Sequence, residues 1–271
     1  MESLHQRFQD RGQSADVEAT FRWLDQADGH PQLQEIKRRM LDLCPVHAAD
    51  QVLDVGCGLG HEARRLAERV GPQGRVVGVD QIPAMIAEAR RRVTDQDIPI
   101  AYEVGDAHQL ALSDNTFSLC RTERVLRYLR NPEVALQEMA RVVQPGGSVL
   151  AFDCDSDLTV VDVPDRLLVR RIADVLDAAV PHPWIGRQLF GLFRRIGLVD
   201  VRVVPHVVCL SGACGFGMYR RLNEGTIARA AAADQIIAAE AAAWWEGLER
   251  AAAAETFFAA NLGFIVAGRK P

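Results

Sequence analysis

The run Val52-Leu53-Asp54-Val55-Gly56-Cys57-Gly58-Leu59-Gly60 constrains this chain more than any other part of its sequence. A short apolar stretch leads straight into three glycines at alternate positions, and a helical pattern opens at His61. Glycine lets the backbone turn tightly and lets a ligand approach closely. The first turn of a helix presents N–H groups that have no intrahelical acceptor. Strand, glycine turn and helix in that order predict the opening unit of an α/β sheet, with a ligand at the carboxyl ends of the strands. The spacing is G-x-G-x-G. A dinucleotide fingerprint, G-x-G-x-x-G, needs glycine where His61 stands, and the chain holds no G-x-x-x-x-G-K-[ST] phosphate loop. Asp54, just before the loop, suits a ligand's ammonium group better than a phosphate.

The same rhythm continues to residue 153. Strands are expected at 51–55, 74–79, 100–104, 117–121 and 148–152, and helices at 61–70, 83–93 and 132–143. Gln144-Pro145-Gly146-Gly147 reads as a helix break. Strands alternating with helices on short connections predict a parallel sheet covered on both faces, joined by right-handed crossovers. Two carboxylates fall at its ligand end. Asp80 closes the second strand about 20 residues beyond the loop, where it can accept from both hydroxyls of a ribose. Its alternative role is to cap the helix that starts near Pro83. Asp106, in Gly105-Asp106-Ala107, can accept from the exocyclic amine of an adenine while a neighbouring backbone N–H donates to a ring nitrogen.

The flanks read differently. Residues 1–44 are expected to be helical and amphipathic, with Phe21, Leu24, Leu33, Ile36, Met40 and Leu43 at helical spacing. Beyond 153, helices are expected at 164–179, 185–196 and 216–254, and strands at 199–209 and 256–268. The alanine runs within 216–254 favour helix.

Together these residues resemble the class I S-adenosylmethionine-dependent methyltransferases. Gly105-Asp106-Ala107-His108-Gln109-Leu110, Ser113-Asp114-Asn115-Thr116-Phe117 and Arg141-Val142-Val143-Gln144-Pro145-Gly146-Gly147 are similar to the small-molecule branch that includes ubiquinone/menaquinone-biosynthesis enzymes, methyltransferase type 11. The resemblance is good over 50–153 and holds elsewhere in outline. It implies a Rossmann-like, seven-stranded, mostly parallel sheet with the last strand antiparallel, helices on both faces and helical lid insertions. It implies one domain, with 1–44 a helical cap, 45–153 the cofactor-binding core, and 154–271 the lid insertions and closing strands. The cofactor would be S-adenosyl-L-methionine. Gly56, Gly58 and Gly60 would line its methionine part and ribose, Asp80 would hold the ribose hydroxyls, and Asp106 and Ala107 would contact adenine. Thr122, just beyond strand four, would lie close by, and Asp54 completes the cofactor set. Phe117-Ser118 stands where the branch usually has Phe-Asp. Arg127 and Tyr128 stand where some hydroxyl-methylating relatives carry a His pair.

The reaction implied is an in-line methyl transfer to O, N or C of a small, fairly apolar acceptor, a secondary metabolite or quinone-like molecule. The donor is already activated, so the protein mainly positions and desolvates. A general base helps where the nucleophile holds its proton, and no catalytic residue is assigned among the seven histidines. His61 is expected at cofactor or solvent, and His206 in the core. His182, in Pro181-His182-Pro183-Trp184, is the best-placed base or substrate contact. Glu123, Arg127 and Tyr128 join it as substrate candidates, and Arg124 and Arg127 either neutralise an acidic substrate or face solvent. Asp153, Asp155 and Asp157 have the look of a divalent-cation loop, but solvated carboxylates are the simpler reading, and no metal is expected. The competing classes are a nicotinamide oxidoreductase, which His61 argues against, and a non-catalytic ligand-binding protein of the same fold.

Composition narrows the partners. A chain that is 48% hydrophobic and 25% charged is not a disordered one. Its 31 Lys+Arg against 36 Asp+Glu, a formal charge of −5, lack a nucleic-acid footprint. No apolar stretch is long enough to span a bilayer, and the polar start reads as free of a secretory signal. Six scattered cysteines without a C-x-x-C pair point to reduced thiols and a cytoplasmic location. A monomer or homodimer acting on a small molecule, with no nucleic acid and no membrane, is expected.

Overall fold

The computed structural model describes residues 14–93 and 98–271. The polar start and the first part of the expected helical cap lie outside them. Two helices precede the sheet, α1 (Ser14–Asp28) and α2 (Pro31–Leu43). His30 caps α2 by accepting the Gln32 N–H, and Pro31 occupies its first turn. There follow β1 (Gln51–Val55), α3 (His61–Val70), β2 (Arg75–Asp80), α4 (Pro83–Arg91), β3 (Ile100–Val104) and β4 (Phe117–Glu123). A short 3-10 turn (Leu126–Tyr128) leads to α5 (Pro132–Val142), β5 (Val143–Val161), α6 (Arg166–Asp177) and α7 (Ile185–Arg195). The chain ends with β6 (Val199–Ser211), α8 (Gly212–Ala232), α9 (Ala238–Ala253) and β7 (Phe258–Arg269).

The seven strands form one sheet in the order β3-β2-β1-β4-β5-β7-β6. Pairing is parallel from β3 across to β5, and β7 runs antiparallel to both β5 and β6. The expected Rossmann-like sheet, with its last strand antiparallel, is therefore present. The chain steps outward from β1 to β3, then returns to lay β4 on the other side of β1. That reversal opens a crevice at the carboxyl ends of β1 and β4, the place where open α/β sheets bind ligands.

Alternate strand residues face two apolar layers. Leu53, Val55, Val77, Val79, Cys120, Val149 and Ala151 pack with α5 and α7. Val52, Val76, Leu119, Leu150 and Phe152 pack with α1 to α4. A third cluster joins α6, α8 and α9 around Tyr219, Trp244 and Leu248, and meets the sheet at Leu210 and Ala259. Among the described residues no helix is long and apolar enough to cross a membrane.

The strands run longer than the sequence suggests. β4 continues through Thr122 and Glu123, and β5 begins at Val143 and ends at Val161. Residues 144–147 and the acidic run from Asp153 to Asp157 thus belong to a strand, not to loops. The reason is non-local. β7 pairs with β5 at Ser148–Cys154 and again at Thr159–Val161, holding extended chain on both sides of the acidic run, while Gly146 and Gly147 bond to Lys270 and the Ser156 N–H donates to the Pro183 carbonyl. The expected helix 216–254 is two helices. Asp234, at φ 53°, follows α8 in the left-handed region, where a helix cannot continue.

Gly263 on β7 seats the ring of Phe152: a methyl group there would come within 2.6 Å of Cε2 and 2.9 Å of the Asp153 carbonyl. Gly263→Ala is expected to destabilise the protein by about 1–3 kcal/mol through overpacking. Urea denaturation checks this; an unchanged midpoint would mean that β5 and β7 separate freely.

Candidate active site

The glycine loop is held from behind and open in front. Gly56, Gly58 and Gly60 have φ of 75°, 53° and 72°, the left-handed region that favours glycine. A methyl group on Gly56 would meet Val125 Cγ2 at 2.3 Å, and one on Gly60 would meet the Tyr102 hydroxyl at 2.2 Å. On Gly58 it would meet nothing within 4 Å. The N–H groups of Gly56 and Cys57 donate to the Val79 carbonyl at 2.7 and 3.1 Å. The Tyr102 hydroxyl donates to the Gly60 carbonyl at 3.1 Å.

Asp80 reaches into this loop. Its Oδ2 accepts the Gly58 N–H at 2.9 Å, and its Oδ1 accepts the Ile82 N–H at 3.0 Å, at the head of α4. The capping role and the ligand-facing position coincide, because each oxygen retains a second lone pair. Burial pushes its pKa up, and the two amides oppose that. Asp106 is exposed and accepts the His108 N–H at 2.9 Å, with the His108 Nδ1 at 2.6 Å. Burial raises its pKa, but the His108 amide and ring bring it below the ordinary value. Ala107 packs into the layer that includes Val55 and Val79. Thr122 is buried, and its hydroxyl donates to the Val55 carbonyl at 3.0 Å, pinning β4 to β1 at the crevice.

Beneath the loop lies a buried network of charge that sequence reasoning missed. Arg121, opposite Asp54 across the β1–β4 ladder, has Nη1 at 3.7 Å from both Asp54 and Glu62 and Nη2 at 2.8 Å from Glu123. Lys37 of α2 donates to Glu123 at 2.9 Å, and Arg124 lies 3.0 Å from its other oxygen. The available signal was an arginine inside an apolar strand of a doubly covered sheet, a place for charge only when paired. Asp54 accepts no hydrogen bond among the described residues. Burial lifts its pKa to about 6 despite Arg121.

Glu123, expected at the acceptor, closes β4 and is paired with Lys37 of α2 as well as with Arg121 and Arg124. Burial would raise its pKa, but Lys37, Arg124 and Arg121 hold it well below the carboxylate range. It is committed to the network.

The other acceptor candidates do come together. Arg127 and Tyr128 lie in the turn after β4, and the Arg127 guanidinium sits 5.5 Å from the Tyr128 ring centroid. The His182 N–H donates to the Arg127 carbonyl at 3.1 Å, which brings the 181–184 loop to the crevice. Asp153, wholly buried, accepts the Arg127 and Cys154 N–H groups at 3.2 and 3.0 Å. Its pKa rises to about 6, because burial outweighs Arg127 and the two amides. Asp155 pairs with both Nε and Nη2 of Arg187, which also lies 3.2 Å from Asp157. Among the described residues no three His, Cys, Asp or Glu side chains gather as metal ligands. His61 is tied to Asp25 of α1 at 2.7 Å rather than facing the loop. His206 is buried edge-on to Phe152, as a core residue.

Comparison with known proteins matches this geometry. A family model described as a methyltransferase domain fits residues 52–147. The chain is 34% identical over 251 residues to an uncharacterized 37.1 kDa protein in transposon TN4556 of Streptomyces fradiae, covering 92% of this chain and 71% of that one. It is 34% identical over 119 residues to the ubiquinone/menaquinone biosynthesis C-methyltransferase UbiE of Hydrogenovibrio crunogenus, covering 43% of this chain and 47% of that enzyme. The match thus spans about half the length of that enzyme. Its fold is similar to that of Haemonchus contortus phosphoethanolamine N-methyltransferase 2, solved with phosphomonomethylethanolamine and S-adenosylhomocysteine. The TM-score is 0.61 at 18% identity, over 98% of this chain and 60% of that one.

Asp153 makes a signed prediction. Its carboxyl takes up a proton near pH 6 when folded, against 3.8 for an ordinary carboxyl, so the folded state binds more protons between those values. Unfolding therefore becomes harder as pH falls through that window. Relative to Asp153→Asn, the wild type is expected to gain on the order of 2 kcal/mol between about pH 7 and about pH 4.5. Urea unfolding at both pH values checks it; a difference that stays constant would remove the raised pKa.

Proposed function

The chain belongs to the class I S-adenosylmethionine-dependent methyltransferases of the UbiE-like type, and from that premise we propose that it methylates O, N or C of a small, fairly apolar molecule. The observation that carries the reading is the open face of Gly58 set against Asp80. A ligand can lie where a side chain on residue 58 would otherwise stand, with a carboxylate beside it. S-adenosylmethionine is the cofactor, and bound there it supplies a methyl group on a sulfonium, activated for in-line displacement.

The residues present fit that molecule. The free lone pairs of Asp80 accept from the ribose hydroxyls. Asp54, which accepts no hydrogen bond among the described residues and has only the longer 3.7 Å ion pair with Arg121, receives the ammonium group at the base of the loop. Asp106 and Ala107 flank the adenine. Gly56 and Gly60 shape the methionine and ribose floor, and Thr122 serves by locking β4 to β1 beneath it. On the other side of the crevice Arg127, Tyr128 and His182 form the acceptor wall. The 181–184 loop and the α6, α8 and α9 layer close over it as lid segments of one domain. The protein's own contribution is orientation and exclusion of water, worth up to ~7–11 kcal/mol when the alignment is complete. Where the acceptor is a hydroxyl, half-buried His182 is the group placed to take its proton. A secondary metabolite or quinone-like acceptor and a cytoplasmic location complete the proposal.

Calorimetric titration tests it. S-adenosylmethionine and S-adenosylhomocysteine are expected to bind and NAD is not; binding of NAD alone would overturn the reading. Asp80→Ala is expected to weaken the first two by on the order of a hundredfold, the worth of two charge-assisted hydrogen bonds. Unchanged affinity would remove Asp80 from the ribose site.

A further inference from the structure

Arg127 is a cation with no direct ion pair among the described residues, although Tyr128, Asp153, Cys154 and Asp177 lie close enough to favour its charge. Of its five N–H donors, one on Nη2 reaches the Ser156 hydroxyl at 2.9 Å, while Nε is buried with no partner. Among the described residues no carboxylate forms an ion pair with it. Its neighbours differ: Arg121 and Arg124 are matched to Glu123, and Arg187 to Asp155. The nearby acids are turned away. Asp153 gives its oxygens to the backbone N–H groups of Arg127 and Cys154, and Asp177 is engaged with Ser156 and Asp157. Burial disfavours this guanidinium and the surrounding groups, Asp153 and Asp177 among them, offset that, yet Nε is left without a hydrogen-bond acceptor. The Tyr128 ring covers one side of the guanidinium, leaving its planar fork to meet a planar partner.

We infer that the methyl acceptor carries a carboxylate, which Arg127 receives at the mouth of the crevice beside Ser156. A single planar negative charge fits better than a phosphate, because Asp153 and Asp177 stand near enough to repel a dianion. The apolar remainder of the acceptor then extends between Tyr128 and the 181–184 loop toward the methyl donor. This inference rests on the methyl-transfer reading of the crevice.

The test uses protein loaded with S-adenosylhomocysteine, titrated with benzoate, 4-hydroxybenzoate and octanoate, each beside its methyl ester. At least one acid is expected to bind on the order of tenfold or more tightly than its ester. Arg127→Gln is expected to erase that preference while binding S-adenosylhomocysteine as the wild type does. Arg127→Lys, which keeps the charge without the fork, is expected to retain a weaker preference. Without ligand, Arg127→Gln is expected to unfold at about the same urea concentration as the wild type, since it breaks no direct ion pair among the described residues. A panel in which no acid binds more tightly than its ester overturns the inference. So does a preference that survives Arg127→Gln, or a clear loss of stability in that variant, which would make Arg127 structural. Failure of the wild type to bind S-adenosylhomocysteine would instead overturn the methyl-transfer reading, and this inference with it.

Discussion

A guanidinium at the centre of the sheet holds the cofactor half of the molecule together. Arg121 leaves β4, meets Asp54 of β1 and Glu62 of α3, and through Glu123 reaches Lys37 of α2. Three cations and three carboxylates are matched there, counting Arg124. A buried charge deprived of its partner costs about 3–5 kcal/mol, so each member holds the others in register. The network lies beneath the glycine loop. It fixes β1 against β4 at the switch point and sets the first core helix and the N-terminal helix on the same face.

Much of this was legible in the chain. The glycine turn, Asp80 and Asp106 depend on local order, strand then turn then helix, and residues of that kind announce themselves in sequence. The alternation of strands and helices fixed the parallel core for the same reason. What could not be read depends on distant partners. β5 is held by its ladder with β7, about a hundred positions away, on both sides of the acidic run. The pairing of Glu123 with Lys37 joins β4 to a helix 86 positions earlier. The lack of a direct ion pair at Arg127 among the described residues is a property of how its neighbours spend their own hydrogen bonds, and no spacing encodes it.

The comparisons divide the chain along the same line. The methyltransferase-domain match ends at residue 147, and the similarity to the UbiE relative covers 43% of the chain. That is the half holding the loop, Asp80 and Asp106. Beyond it come most of β5, the 181–184 loop and the third apolar cluster around Trp244. The match to the Streptomyces fradiae relative, over 92% of the chain, extends into that second half.

The unbroken length of β5 has a mechanical consequence. One strand runs from beside the crevice, at Asp153, out to Val161 under the helical layer, and β7 pairs with it on either side of the shift between Cys154 and Thr159. No slack tether joins the two regions. Movement of the outer helices must travel as torsion along a two-stranded ribbon, and the irregular stretch between Cys154 and Thr159 is where a ribbon of that kind yields first.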